Sequence, residues 1–248
     1  MNRKIEEFDG LIISEVNYSE SSKILNVLTD KYGVIGVISK GCRNIKSKLR
    51  GVSRKLVYGR FNVYYKSDGL STLISCDVIN SYNNIVSNLT SISYASYIID
   101  LVNQVSKENN DSSMFPIIIA GLNKINDNFN PLVIANMIEV KLLNYLGVRP
   151  SIDSCSYCGG VNSIVSLSSS SGGYVCSNCY SDQEIVSHDA IKMIRLYYYV
   201  DINNISKLNV SENVSYEINR FLSDYYDRYT GIYMKSKDFL KQIEHINL

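Results

Sequence analysis

The sequence lacks any apolar run long enough to cross a membrane. A transmembrane helix needs about 20 consecutive apolar residues, and no stretch of the 248-residue chain approaches that length. The first eight residues already include Glu6 and Glu7, so acidic side chains come before any apolar core that a signal peptide would need. These two absences predict a soluble protein of the cytoplasm.

Histidine is nearly absent, and the motifs of common enzyme classes are missing. Neither His188 nor His245 is followed two residues later by the glutamate of zinc deaminases. The chain has no Gly-x-Ser-x-Gly and no His-Glu-x-x-His sequence. Residues 36–41 have the spaced glycines of a phosphate-binding loop, but Cys42-Arg43 follow where Lys-Ser or Lys-Thr is required. The sequence therefore predicts a binding protein without a chemical step.

The strongest motif is a pair of Cys-x-x-Cys turns. Cys155-Ser-Tyr-Cys158 and Cys176-Ser-Asn-Cys179 are separated by seventeen residues. Four thiolates on two turns complete the tetrahedron that Zn²⁺ prefers, and they leave no open position for water. Two disulfides, a redox-active pair or an empty site are the alternatives, and a reducing cytoplasm disfavours the disulfides. We predict one structural Zn²⁺ held by Cys155, Cys158, Cys176 and Cys179.

The residues between the cysteine pairs have the pattern of a hairpin. Residues 164–167 and 173–175 are rich in strand formers, and the serines and glycines of residues 168–172 form a flexible tip between them. The sequence thus predicts a zinc ribbon at about residues 153–182.

Acidic residues are absent between Asp30 and Asp68, although this stretch contains ten Lys or Arg. Residues 1–80 carry a net charge of +5, whereas residues 81–248 carry −4. A stretch with one sign of charge is typical of a surface that binds a polyanion, although a solvated loop is the alternative. We predict a DNA-binding track made of Lys40, Arg43, Lys46, Lys48, Arg50, Arg54 and Lys55. Bases would stack on Tyr64 or Tyr65 if either ring faces this track.

Five stretches near the N-terminus alternate between apolar and polar residues, as half-buried strands do. They are residues 7–18, 23–31, 34–39, 56–66 and 70–79. Five short strands of this size favour a small closed barrel of the OB type, a fold that often binds oligonucleotides. An SH3-like barrel or a small sandwich would also fit this spacing.

Beyond residue 82 the apolar spacing becomes helical. The predicted helices are residues 92–105, 115–125, 131–146, 187–196, 210–229 and 235–246. The predicted fold class is therefore α+β multidomain. A five-stranded OB-type barrel occupies residues 1–80, and a helical domain with the inserted zinc ribbon occupies residues 81–248.

The order of these features resembles the RecO family of bacterial recombination mediators. The segments that carry the resemblance are residues 9–25, 29–43, 46–49, 69–73 and 139–150, the last leading into Cys155-Ser-Tyr-Cys158-Gly. They cover most of the chain up to about Cys179 and follow the family's opening strands, basic loop and helix-to-ribbon junction.

The resemblance implies functions and partners that the residues alone do not reveal. It implies binding to single- and double-stranded DNA, annealing of complementary strands, and partnership with RecR. It also implies docking of the C-terminal tail of the single-strand binding protein, whose coat hinders loading of the RecA recombinase. We expect that tail on the acidic helical domain, at a local basic spot beside exposed apolar groups. Such a protein would be associated with the nucleoid.

Two other functions use the cysteine motif differently. A sequence-specific transcription factor could read DNA with the ribbon, but residues 154–180 contain no Lys or Arg to meet phosphates. A zinc hydrolase needs an open coordination position, which four thiolates do not leave.

Overall fold

The alternating residues near the N-terminus build a closed barrel. In the computed structural model, which describes residues 4–237, 239 and 240, its strands are β1 (Ile5–Tyr18), β2 (Ser22–Thr29), β3 (Gly33–Ser39), β4 (Tyr58–Tyr64) and β5 (Ser71–Asn80). They close in the order β1-β2-β3-β5-β4, with β3 and β5 parallel and the other neighbours antiparallel. This closed five-stranded barrel confirms the OB-type prediction.

One face of every strand fills the barrel. Phe8 of β1 and Phe61 of β4 stack with ring centroids 6.0 Å apart. The rest of the barrel core is aliphatic and consists of Ile12, Leu25, Val27, Val37, Val57, Val63 and Leu73. Burying each such side chain contributes roughly 1.5–3 kcal/mol, so this alternating pattern fixes which face of each strand points inward.

Three helices form one compact unit with the barrel. They are α1 (Asn83–Ser87), α2 (Leu89–Glu108) and α3 (Met114–Asn126), and the unit spans Met1–Asn126. Helix α2 lies against the barrel, where the side-chain amide of Asn26 donates to that of Asn103 at 3.4 Å. The domain boundary predicted after residue 80 lies just before α1 and stays a prediction.

The second compact unit, Asp127–Leu248, is built around a buried helix. Its elements are α4 (Pro131–Tyr145), β6 (Ile164–Ser168), β7 (Gly173–Cys176), α5 (His188–Tyr199), a 3₁₀ turn (Ile202–Asn204) and α6 (Glu212–Tyr229). Helix α4 begins where predicted, because Asn130 caps the backbone N–H groups of Leu132 and Val133 and Pro131 fits the first turn. It ends before Gly147, whose φ of 71° suits a residue just beyond a helix.

Helices α5 and α6 are also capped by serines. The Ser187 hydroxyl accepts from the Ala190 N–H, and the Ser211 hydroxyl accepts from the Val214 N–H. The buried Tyr226 hydroxyl of α6 donates to the Glu139 carbonyl of α4 at 2.9 Å. The sequence did not indicate α1 or the 3₁₀ turn. Of the last predicted helix, residues 235–237, 239 and 240 are helical, and the remainder lies outside the described residues, as does His245.

Candidate metal centre and nucleic-acid interface

The predicted ribbon brings all four cysteines of the motif together. Strands β6 and β7 pair antiparallel, Cys155 and Cys158 lie on the turn before β6, and Cys176 and Cys179 lie at and beyond the end of β7. The four sulfur atoms all lie within 4.8 Å of one another. The chain thus offers four sulfur donors at a single point.

The spacing of these sulfur atoms suits a tetrahedral metal ion. With metal–sulfur bonds of about 2.3 Å, neighbouring sulfurs of a Zn²⁺ tetrahedron are about 3.8 Å apart. The sulfurs of Cys158 and Cys176 are 3.7 Å apart. The spacing of this pair therefore matches a tetrahedral metal site, and the other sulfurs lie within 4.8 Å.

Backbone N–H groups converge on the sulfurs. The N–H of Gly160 donates to the Cys158 sulfur at 3.4 Å, and that of Cys176 donates to the Cys155 sulfur at 3.4 Å. Burial opposes ionisation of Cys155, but N–H groups from Cys158, Cys176 and Tyr157 outweigh it and lower the pKa of this thiol to about 6. Such donors also stabilise thiolates bound to a metal.

The pKa of the Cys179 thiol is shifted upward, opposite to that of Cys155. Hydrogen bonds with the Cys158 and Cys176 sulfurs raise the pKa of the Cys179 thiol to about 12, and burial and the negative charge of Cys155 act in the same direction. Without a cation the Cys179 thiol therefore holds its proton more firmly than an ordinary thiol does. A metal ion would displace that proton, since ligands must be deprotonated.

The ribbon is tied to the rest of its unit. The Tyr174 hydroxyl of β7 donates to the Ile191 carbonyl of α5, and the Tyr229 hydroxyl of α6 donates to the Ser169 carbonyl at the ribbon tip at 2.9 Å. The Tyr174 N–H donates to the Ser151 carbonyl at 2.7 Å. Loss of the ribbon would therefore remove contacts from both helices.

Gly172 and Gly173 provide a matched test of this packing. Gly173 has a φ of +145°, and a Cβ atom there would collide with the Ser151 carbonyl and lie 2.7 Å from its nitrogen. Gly172 has a φ of +77°, but its nearest neighbour would be the Tyr229 hydroxyl at 3.8 Å. Both alanine substitutions incur the roughly 1–3 kcal/mol cost of a positive φ, and only Gly173→Ala also displaces backbone.

We expect Gly173→Ala to lower the free energy of unfolding by at least about 2 kcal/mol more than Gly172→Ala does. Urea denaturation followed by circular dichroism would measure the difference. Equal destabilisation by the two substitutions would show that the contact with Ser151 does not hold the ribbon.

The predicted basic loop is ordered and packs on the surface of the barrel. It comprises residues 40–57, which connect β3 to β4. Successive turns run through it, from the Asn44 N–H to the Gly41 carbonyl at 3.1 Å and from the Ser47 N–H to the Asn44 carbonyl at 3.0 Å. The buried hydroxyls of Ser39 and Ser53 are 2.8 Å apart, and Leu49 packs against the barrel core. The loop is therefore fixed at both ends and in the middle.

Six of the seven residues predicted to bind DNA have exposed side chains on this loop: Lys40, Arg43, Lys46, Lys48, Arg50 and Arg54. None of the six forms an ion pair within the described part of the chain. Lys55 differs, because it is half-buried and pairs with Asp100 of α2 at 2.9 Å. The loop thus presents six uncompensated cations, and their role on DNA stays a prediction.

The two tyrosines predicted as candidates for base stacking have different environments. Tyr65 stacks on Tyr32 with ring centroids 4.5 Å apart, so its ring is already engaged. Tyr64 is 37 % exposed on the outer face of β4. Tyr64 therefore remains available for stacking.

Sequence reasoning missed a cluster in the second unit. Asp153 pairs with Arg149 at 2.5 Å and with Arg195 at 3.0 Å, and it accepts from the Tyr199 hydroxyl at 2.7 Å. The Arg149 guanidinium also lies 4.4 Å from the centre of the Tyr198 ring. The only sequence signal was the four-residue spacing of Arg149 and Asp153, because Arg195 and Tyr199 come from α5 more than forty residues later.

Among the described residues, no helix has both the length and the apolar character needed to span a membrane.

Comparison with known proteins places this architecture in a family. Residues 1–82 match the family model described as the recombination protein O N-terminal domain, and residues 86–238 match that of its C-terminal domain. The DNA repair protein RecO of Bacillus pumilus is 31 % identical over 240 residues, which cover 95 % of this chain and 93 % of the relative. The DNA repair protein RecO of a Listeria monocytogenes strain is 28 % identical over 97 % of this chain and 95 % of the relative. A closed barrel, a four-cysteine ribbon on a helical unit and matches along nearly the whole chain agree, so the chain belongs to the RecO family of DNA repair proteins.

Proposed function

We propose that this protein binds single- and double-stranded DNA and anneals complementary strands. Together with RecR it would help to load RecA onto DNA coated by the single-strand binding protein. The observation that carries this proposal is the basic loop on an OB-type barrel, whose six exposed cations form no ion pair with any residue that the structure describes. Contacts from such cations position the phosphate backbone and carry no sequence code, which suits a protein that must act on any broken DNA.

The metal centre has a structural role in this proposal. Cys155, Cys158, Cys176 and Cys179 would hold one Zn²⁺, which is the ion that a tetrahedral set of four thiolates favours. The bound ion would fix the ribbon against α5 and α6. Four protein ligands leave no position for a substrate, so the ion has no catalytic part.

The tail of the single-strand binding protein would dock on one face of α5. This α5 face consists of Lys192, Arg195, Leu196 and Tyr199, which share one side of the helix, together with Arg149. Leu196 is 44 % exposed and Tyr199 is 54 % exposed. Lys192, Arg149 and Arg195 outnumber Asp153, the acid that pairs with both arginines. This local positive charge beside exposed apolar groups matches an acidic peptide with an apolar tip, even though residues 81–248 carry a net charge of −4.

Strand annealing with and without the single-strand binding protein would test the proposal. We expect the wild-type protein to accelerate annealing of complementary oligonucleotides in both conditions. Arg195→Glu should leave annealing of bare strands unchanged and slow that of coated strands about tenfold, because reversal of a rim charge weakens docking. Arg228→Glu is the matched control, since Arg228 is an exposed arginine at the end of α6.

A wild-type protein that fails to anneal bare strands would refute the mediator role. If Arg195→Glu and Arg228→Glu behave alike on coated strands, the tail docks elsewhere than on the α5 face.

A further inference from the structure

The tip of the β1–β2 hairpin is joined to the basic loop. The Arg43 N–H donates to the Ser21 carbonyl at 2.8 Å, and the Arg43 guanidinium donates to the Ser19 carbonyl at 3.3 Å. The Gly41 N–H donates to the Ser22 hydroxyl at 3.2 Å. Hairpin tip and basic loop therefore form one continuous surface.

Tyr18 stands on this surface with a free ring. It is 48 % exposed, and within the described residues its side chain has no hydrogen bond and no ring contact. Tyr32 and Tyr65 stack on each other, and Tyr58 packs edge-on against Phe115. Tyr64 on β4 is 37 % exposed, so Tyr18 is the barrel tyrosine most open to solvent.

Strand register places Tyr18 beside an apolar patch on the outside of the barrel, which consists of Val16, Ile24 and Ile38. Val16 pairs with Ile24, and Ile24 pairs with Ile38, so these three side chains share the outer face of the sheet. Tyr18 lies two residues beyond Val16 and therefore on the same face, opposite Ser22. Val16 is 63 % exposed, and Ile24 and Ile38 are half-buried.

The charges around Tyr18 favour a nucleic acid on this surface. Lys40, Arg43 and Lys46 follow directly from the strand that carries Ile38. Of the nearby carboxylates, Glu15 is neutralised by Lys23 at 2.7 Å, and Glu20 is the one exposed acid of the tip. A DNA strand whose phosphates bind the basic loop would bring its bases over the Tyr18 ring and the apolar patch.

We propose that Tyr18 is a base-stacking residue that makes this surface selective for single strands. The proposal rests on the proposed DNA-binding function and adds a residue and a preference to it. An unpaired base can stack on an exposed aromatic ring regardless of its identity. In a duplex both faces of each base are already stacked, so Tyr18 adds nothing to duplex binding, and only the phosphate contacts remain.

Fluorescence anisotropy with the full-length protein would test this inference. The probes are an oligo-dT strand and a mixed-sequence duplex of equal length. We expect Tyr18→Ala to weaken oligo-dT binding about tenfold and to change duplex binding less than twofold. Tyr18→Phe should retain affinity, because the ring and not the hydroxyl stacks. The dependence of affinity on salt should not change, since no charge is removed. Tyr216→Ala, which removes an exposed tyrosine from α6 of the second unit, is the control and should bind both probes like the wild type.

A second measurement locates the contact directly. Oligo-dT that contains 5-iodouracil should photo-crosslink to the tryptic peptide of residues 5–23, which contains Tyr18. Tyr18→Ala should abolish that crosslink.

Normal oligo-dT binding by Tyr18→Ala would overturn the inference, and so would an equal loss on the duplex. If Tyr18→Ala instead loses RecR in a pull-down while it binds oligo-dT normally, the surface is a protein-docking site and the inference is wrong. The double variant Lys46→Glu with Lys48→Glu distinguishes failure of the stacking role from failure of the proposed DNA-binding function. If that variant loses both probes while Tyr18→Ala binds normally, the loop still binds DNA and only the stacking role fails.

Discussion

Replacing Cys176 by serine should release the metal and loosen the second unit. Cys176 is buried at the end of β7, and its N–H donates to the Cys155 sulfur at 3.4 Å. Loss of a partner that only orients a metal ligand typically costs about 10–100-fold in affinity, so loss of a ligand itself should cost more. Because metal affinity at such a site is largely folding free energy, the ribbon should unfold as the ion leaves.

Two measurements would check this result. Mass spectrometry of inorganic elements should find one zinc per wild-type chain and much less than one per Cys176→Ser chain. Hydrogen exchange should accelerate in β6, β7 and the helix α5 that Tyr174 contacts, because their protection depends on the ribbon.

Cys76→Ser is the matched control for that experiment. Cys76 is a free, half-buried thiol of β5 and belongs to the first unit, so its loss should leave the zinc content unchanged. A Cys176→Ser protein that retains one zinc and melts like the wild type would show that the four-cysteine cluster is not a structural metal site.

The sequence was most informative where chemistry is local. Two Cys-x-x-Cys turns specify four sulfurs and a ribbon because each turn contains both of its ligands. The barrel strands were predictable because alternation is a property of neighbouring residues, as with Phe61 and Val63 inside and Tyr64 outside. Helix α4 was delimited by its own cap and by Gly147.

Partners that are distant in sequence could not be predicted. Helical spacing shows that α2 has an apolar face, but it does not show that the face covers the barrel. For the same reason the ion pair of Lys55 with Asp100 could not be predicted, and in the sequence Lys55 looked equivalent to the other basic residues of the loop. Tyr65 meets Tyr32 across 33 positions, and no feature of residues 64 and 65 indicated which ring would remain open.

The tip of the β1–β2 hairpin shows why an exposed candidate residue could not be recognised from the sequence. Residues 18–22 have no motif, and their interest arises only because Arg43 binds the Ser19 and Ser21 carbonyls. An exposed tyrosine becomes a candidate for DNA contact through its neighbours on the surface and not through its neighbours in the chain.

Reversing two charges of the basic loop should produce the largest effect on DNA binding. Lys46 and Lys48 are exposed on either side of Ser47, whose hydroxyl accepts from the Leu49 N–H at 3.3 Å. Leu49 packs on the barrel core, so the loop should keep its fold when the flanking lysines change. We expect Lys46→Glu with Lys48→Glu to weaken binding at least about tenfold near 0.1 M salt, on single strands and duplexes alike.

The salt dependence identifies the cause of that loss. Each phosphate contact contributes a log–log slope of about −0.7 on single strands and −0.9 on duplexes through counterion release. Loss of two contacts should therefore flatten the slope by about 1.4 on single strands and about 1.8 on duplexes. Random and unique sequences should lose affinity equally, because phosphate contacts carry no sequence information.

Lys207→Glu with Lys235→Glu is the matched control, because it changes the net charge of the chain from +1 to −3 as the loop variant does. Both of its lysines are exposed in the second unit. If general repulsion from DNA caused the loss, the two variants would weaken binding equally. If the loop is the DNA track, only the loop variant flattens the slope. A loop variant that binds normally with an unchanged slope would place the track outside residues 40–57.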